Sequence, residues 1–274
     1  MKKLHISLCS WITRVSLISV ALSLLLAVSV NADSGLLWLV NPDHPLEASY
    51  RPQNLIYVNG YPLRPEAAEA FMTMWEDMKA AGIKGLRMQS AYRPYRYQQA
   101  LFDDKVKNWQ GLGHKEEVAQ VLAARSVAMP GASEHQTGLA VDVSINGQLN
   151  VHFGSTEAGV WLANNAGRYG FITRYPKEKI HITRIIYEPW HLRYVGVPHA
   201  QYMQEQNMCM EEYLDFLKEA GTVLFWVDDG SYYKMSFYKQ RPEMGVIEAA
   251  YDVSSLGFDA GAGFVVTEFK RFLR

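Results

Sequence analysis

Cysteine is nearly absent from this 274-residue chain. Of its two cysteines, Cys9 lies in an N-terminal stretch that reads as an export signal, which leaves Cys209 alone. A disulfide within the mature chain and a cysteine cluster for structural zinc are therefore both excluded. Any metal has to be held by histidines and carboxylates. Cys209, between Met208 and Met210, reads as a small buried hydrophobe. An excess of charge of either sign is missing too: the formal net charge is −1, so no basic field would recruit nucleic acid. There is no low-complexity tract, no repeat at a fixed period, no P-loop, no dinucleotide fingerprint, no nucleophile elbow and no H-E-x-x-H. What is present is ordinary for a globular protein with a real core, 49% hydrophobic and 20% charged. The length suits one large domain or two small ones.

Residues 1–32 differ from the rest. Their only charged side chains are Lys2, Lys3 and Arg14, and an apolar run from Val15 to Val30 ends in Val30-Asn31-Ala32, the small-x-small pattern that a signal peptidase accepts. The run is shorter than the roughly 20 residues of a membrane-spanning helix. It predicts an exported protein in the cell envelope or outside the cell, with this segment cleaved or kept as a membrane anchor. A buried helix is the alternative. Domain boundaries are expected at 1–32 for this segment, 33–210 for a catalytic domain and 211–274 for a C-terminal extension without an evident role.

Residues 33–64 read as an irregular, proline-rich lead-in. Pro65 opens a helix, a place where its missing N–H is not needed, and Phe71, Trp75 and Met78 give that helix an apolar stripe. Gly82 stops it. Helices are also expected at about 95–109, 115–126, 156–167 (with Thr156 as cap) and 211–220. Strands are expected at 83–89, 139–145, 171–175, 182–187 and 191–195. A hairpin over 222–239 turning at Asp228-Asp229-Gly230 follows, with a further strand at 264–269. Helices that precede the main strands, rather than alternating with them, predict an α+β fold with a central antiparallel sheet and helices packed on it. The tail adds a small C-terminal α/β subdomain.

Two stretches concentrate metal-capable groups. In Ser133-Glu134-His135-Gln136-Thr137-Gly138-Leu139-Ala140-Val141-Asp142, a turn at Gly138 brings His135 and Asp142 to one point. Asp142 sits between Val141 and Val143 in a run that otherwise belongs in a core, so its carboxylate needs a partner or a metal. In Glu188-Pro189-Trp190-His191, a strand ending at Glu188 and another starting at His191 let both face one cavity, with His181 close enough in sequence to line it. Three ligands would leave the fourth zinc position open, the catalytic pattern, with Glu188 as general base. Each stretch also has a plain structural reading: a satisfied polar histidine, a turn-capping Asp142, a core Trp190. His114 with Glu117 forms an H-x-x-E pattern on what reads as an ordinary solvated helix.

The ordered blocks narrow this. Ser90-Ala91-Tyr92-Arg93-x4-Gln98, then Ser133-x-His135-x-x-Gly138-x-Ala140-x-Asp142, then Tyr169-Gly170-Phe171-Ile172-x-Arg174-Tyr175-Pro176, then Glu188-Pro189-Trp190-His191-x-Arg193-Tyr194-Val195-Gly196 closely resemble the VanY-like D-alanyl-D-alanine carboxypeptidases. These belong with the lysostaphin, D-Ala-D-Ala peptidase and hedgehog group of zinc proteins. The likeness spans roughly residues 36–200. It implies one zinc ion per chain on His135, Asp142 and His191, with Glu188 as catalytic base. It also implies substrate contacts from Arg93, Gln98 and Ser133, and a peptidoglycan stem peptide as partner. No nucleic acid is expected, and membrane contact only through an uncleaved N-terminal segment. The expected reaction is removal of the terminal D-Ala from stem pentapeptides. Relatives with the same motif act as L,D-carboxypeptidases or other wall peptidases, and a non-catalytic, zinc-stabilised wall-binding module is the reading from another class. The family's Asn-Lys near the start is Asn41-Pro42 here.

Overall fold

The β-branched and apolar run around Val141 forms the centre of an antiparallel sheet. A computed structural model describes residues 34–227, 230–248, 250, 252–256 and 263–271. Residues 1–32, expected as an export signal, and the expected turn at Asp228 and Asp229 lie outside the described residues. Along the chain the lead-in holds a short hairpin, β1 (Ile56–Val58) and β2 (Tyr61–Leu63), which sequence patterning did not suggest. Then come α1 (Pro65–Ala80), β3 (Arg87–Ser90), α2 (Tyr95–Gly111), α3 (Glu116–Ala124), β4 (Ala140–Ser144), α4 (Glu157–Asn165), β5 (Phe171–Tyr175), α5 (Ile180–Thr183), β6 (Glu188–Tyr194) and α6 (Val197–Glu205). The last part adds α7 (Met210–Ala220), β7 (Thr222–Trp226), β8 (Tyr232–Tyr238), α8 (Met244–Glu248), β9 (Asp252–Ser255) and β10 (Phe264–Lys270).

The first sheet has the order β3-β4-β6-β5, with every pair antiparallel. Successive side chains on a strand point to opposite faces, and β4 uses both. Val141 and Val143 enter a core shared with Phe71, Met74 and Met78 of α1 and Leu162 of α4. Asp142 points the other way. Pro65 does start α1, and the Thr156 side chain accepts from the Gly159 N–H at the start of α4.

Three strand expectations needed correction. Residues 182–187 are not a strand: Ile180–Thr183 is a helical turn, and Arg184, at φ 63°, ends it. The β-branched residues there misled, because strand preference mostly reflects packing on a pleated surface. Of 83–89 only Arg87 onward is strand, since Gly85, at φ 78°, turns the chain first. The strand expected at His191 begins three residues earlier, so Glu188 and His191 share β6.

The hairpin of β7 and β8 is present, β10 pairs with β8, and β9 forms an unexpected fourth strand in the order β7-β8-β10-β9. All these pairings are antiparallel, so the C-terminal part is α+β rather than α/β. It is not a loosely hung appendage. Ile172 of the first sheet, Val195 just after it, Met203 of α6, Tyr213 and Leu217 of α7, and Phe225 and Val265 of the second sheet form one apolar cluster. Ser34 also donates its N–H to the Val253 carbonyl at 2.8 Å, tying the start of the described chain to β9. Among the described residues no helix is long and apolar enough to cross a membrane.

Phe71 carries much of the contact between α1 and the first sheet, edge-on to Trp75 at 5.3 Å and to Phe171 at 6.1 Å, with no exposed surface. Phe71→Ala is expected to cost about 3–5 kcal/mol, read as a lower midpoint in urea unfolding. A loss below about 1 kcal/mol would mean that the α1–sheet contact is not what holds this core together.

Candidate active site

Asp142 and His191 are directly paired across β4 and β6, and Ser90 of β3 is opposite Asp142 on the other side. Side chains so paired on one face have Cβ atoms about 4.5–5.5 Å apart, so pairing alone delivers two of the polar groups to one point. His135 comes from a short 3-10 turn, Glu134–Thr137, just before β4. Gly138 closes that turn at φ +73°, where a Cβ would stand 3.1 Å from Leu55 Cδ2 and 3.2 Å from Arg64 Cγ. Conformation and space both ask for glycine.

Glu188 and His191 are three apart on one strand, and an unbroken strand would send them to opposite faces. The pairing of β5 with β6 shifts between Thr173, opposite Leu192, and Tyr175, opposite Glu188. Two extra β6 residues are accommodated there, and this irregularity returns Glu188 to the face of His191.

His135 Nδ1 lies 2.6 Å from the Ala91 carbonyl oxygen. The proton therefore sits on Nδ1 and the Nε2 lone pair is free. That Nε2 is 3.2 Å from Asp142 Oδ2, and His191 Nδ1 is 3.1 Å from Asp142 Oδ1. The two rings meet edge-on at 4.8 Å. Ligand atoms of all three residues lie within 4.8 Å of one another. All three side chains are buried, yet His135 Nε2 and Asp142 Oδ1 lack a hydrogen-bond partner of proper geometry. Buried polar atoms that converge without bonding one another suit a shared ligand, and two imidazoles with one carboxylate are a donor set that fits zinc with a position to spare.

The electrostatics agree. Burial chiefly, with help from Arg93, pushes His135 down to about 4, which keeps it neutral as a ligand must be. Burial opposes the Asp142 charge, but the two histidines outweigh it and hold the carboxyl well below the usual range. Burial, with Asp142 nearby, pushes Glu188 up to about 8. Its Oε2 stands 3.9 Å from His191 Nδ1.

The trio opens onto a cavity of about 560 Å³ whose wall includes Arg93, Ser133, Tyr175, Glu188 and Trp190. Arg93 Nη1 donates to Ser90 Oγ at 3.1 Å, while its buried Nε has no partner. Not every expected residue reaches this wall. Gln98 is fully buried behind it, with Nε2 donating to the Ala128 carbonyl at 2.6 Å, so its contact is with the wall residue Ala128. His181 is exposed and away from the cavity, because the segment that carries it is a helical turn rather than a strand. His114 and Glu117 are solvent-exposed.

The sequence reading passed over a group of buried charges beside the trio: Glu134, Arg174 and Arg193, with Glu211 from α7. The available signal was charge at strand positions flanked by apolar residues, in Ile172-Thr173-Arg174-Tyr175 and His191-Leu192-Arg193-Tyr194.

Comparisons with known proteins point the same way. The profile of the VanY family, D-alanyl-D-alanine carboxypeptidase, matches residues 60–197. The chain is 40% identical over 204 residues to the putative carboxypeptidase YodJ of Bacillus subtilis (strain 168), spanning 70% of this chain and 71% of that one. Its structure is similar to the vancomycin-resistance D,D-pentapeptidase VanY from a VanB-type resistance cassette in complex with Zn(II), with TM-score 0.59 and 38% identity over 65% of this chain and 98% of that one. It is likewise similar to the LdcB LD-carboxypeptidase, a structure concerned with peptidoglycan recognition, with TM-score 0.59 and 40% identity over 66% of this chain and 86% of that one.

The site makes a direct prediction. Purified protein is expected to carry one divalent metal per chain by elemental analysis, and His135→Ala or Asp142→Ala to carry none while staying folded by circular dichroism. Full metal content in either variant would remove that residue from the ligand set.

Proposed function

The chain belongs to the VanY family of D-alanyl-D-alanine carboxypeptidases, and from that premise we propose that it is an exported, zinc-dependent enzyme that removes the terminal D-Ala from peptidoglycan stem pentapeptides. The observation that carries the reading is the arrangement of one cavity: three metal-capable side chains, a carboxylate 3.9 Å from one of them, and a guanidinium with an unpartnered N–H on the same wall.

When bound to His135, Asp142 and His191, zinc supplies Lewis acidity, polarising the scissile carbonyl and acidifying a water molecule. The chain's own groups do the rest. Glu188 accepts a proton from the attacking water and returns it to the nitrogen of the departing D-Ala, so the C–N bond breaks with no charge left over. Burial raises the proton affinity of this carboxylate, as a general base requires. Arg93 offers its fork to the terminal carboxylate, the group by which a carboxypeptidase recognises a chain end. Ser133 lines the same wall and contacts the substrate. Export is supported by the charged start and apolar run of residues 1–32.

The second reading, cleavage of the L-to-D bond of a tetrapeptide, is favoured by the 40% identity to an LD-carboxypeptidase. Pentapeptide and tetrapeptide muropeptides incubated with the protein and weighed by mass spectrometry separate the two. Loss of one D-Ala from the pentapeptide alone is expected, and trimming of the tetrapeptide alone would overturn the choice. Glu188→Ala is expected to keep its zinc and lose about 10²–10⁴-fold in kcat; full activity with zinc in place would remove Glu188 as base. Arg93→Lys is expected to lower kcat/KM about 10- to 100-fold, the worth of a charged hydrogen-bond pair.

A further inference from the structure

We propose that Glu134 is a positioning residue for the metal centre, and that the C-terminal segment reaches that centre through it along the buried chain Glu211–Arg174–Glu134–His191. The inference rests on reading His191 as a metal ligand.

Glu134 has no exposed surface. An ion in such a place is costly unless it is well paired. Its Oε1 accepts from Arg174 Nε at 2.7 Å and lies 3.1 Å from Arg193 Nη1. Its Oε2 has no hydrogen-bond partner, and neither has His191 Nε2, yet these two buried atoms face each other at 3.7 Å. A closure of several tenths of an ångström would satisfy both. The other nitrogen of that ring, Nδ1, faces Asp142 at 3.1 Å and Glu188 at 3.9 Å, so it is the one on the metal side. A ligating Nδ1 leaves the proton on Nε2, aimed at Oε2. A carboxylate there fixes the tautomer and the ring plane, and raises the basicity of the ligand.

The far end of the chain of charges lies beyond the residues that carry the family resemblance. Arg174, itself buried, is gripped by Glu211 with Nη1 to Oε2 at 2.9 Å and Nη2 to Oε1 at 2.6 Å. A guanidinium is planar, so a bidentate grip on its outer edge also sets the direction of its Nε–H. The orientation of Arg174 toward Glu134 is therefore set from α7. Two acids and two arginines balance in charge. Docking of α7 has its own apolar contacts through Tyr213, Leu214 and Leu217. A buried ion pair adds little to such docking, and holding Glu134 at His191 gives the charges a task.

The test measures zinc affinity by chelator competition, and the visible spectrum of the Co(II)-substituted protein, for the wild type, Glu134→Gln, Glu211→Gln and Thr267→Val. Thr267 meets His199 Nε2 at 3.0 Å, a buried tie between the second sheet and α6 that touches no member of the chain of charges. Glu134→Gln is expected to weaken zinc binding about 10- to 100-fold and to shift the Co(II) bands. Glu211→Gln is expected to act in the same direction by a smaller factor, about 3- to 10-fold. Thr267→Val is expected to keep wild-type affinity even where it lowers Tm as much as Glu211→Gln does. If Glu134→Gln does not fold, the comparison of Glu211→Gln with Thr267→Val decides. Wild-type affinity and an unchanged Co(II) spectrum in the folded glutamine variants would overturn the proposal. So would an equal loss in Thr267→Val and Glu211→Gln. A wild type that binds no zinc would instead overturn the functional reading on which the proposal stands.

Discussion

The structure turns on a carboxylate in the wrong place. Asp142 occupies the middle of a central strand whose neighbours Val141 and Val143 are core, and its cross-strand partner His191, the incoming His135 and, at 3.5 Å, Arg93 make that position tolerable. Much of the local architecture serves this contact. The left-handed Gly138 ends the turn that brings His135 in, and the β6 irregularity returns Glu188 to the same face. The Ala91 carbonyl holds the ring of His135 with its lone pair toward Asp142.

The first sheet divides its labour by face. One side is apolar and packs on α1 and α4. The other holds the polar trio toward one end and, beside it, the apolar cluster that continues into α6, α7 and the second sheet. That continuity gives the C-terminal part a mechanical stake in the first sheet. A second polar tie repeats the theme: His199 of α6 bonds to Tyr213 of α7 at 2.6 Å and to Thr267 of β10 at 3.0 Å, so neither ring nitrogen is left without a partner inside the apolar cluster. Burial alone pushes this His199 down to about 3, so it is a neutral strut rather than a titrating group.

How much of this was legible in the sequence depended on whether the signal was local. α1 announced itself through Pro65 and a helical stripe, and β5 falls at the bounds expected for it, 171–175. The trio was legible as two dense stretches of metal-capable groups, and firmly so only through four ordered blocks. What escaped was non-local. That Glu188 and His191 share one strand depends on a shift of pairing with β5, which no spacing rule reveals. Residues 182–187 look like a strand because Ile and Thr favour pleated surfaces, but among the described residues this segment pairs with no strand. The resemblance implied a substrate contact for Gln98, whose side chain lies buried behind the cavity wall, a depth that a motif position does not reveal. The partners of Glu134 lie 40 and 59 positions away in Arg174 and Arg193, beyond the reach of any local pattern.

X-ray absorption at the zinc edge of the metal-loaded protein tests the central claim most directly. The account predicts a first shell of nitrogen and oxygen only, at about 2.0–2.2 Å, with the outer-shell pattern of two imidazoles. A sulfur in the first shell, or the signature of fewer than two imidazoles, would contradict the assignment of His135, Asp142 and His191 as the ligands.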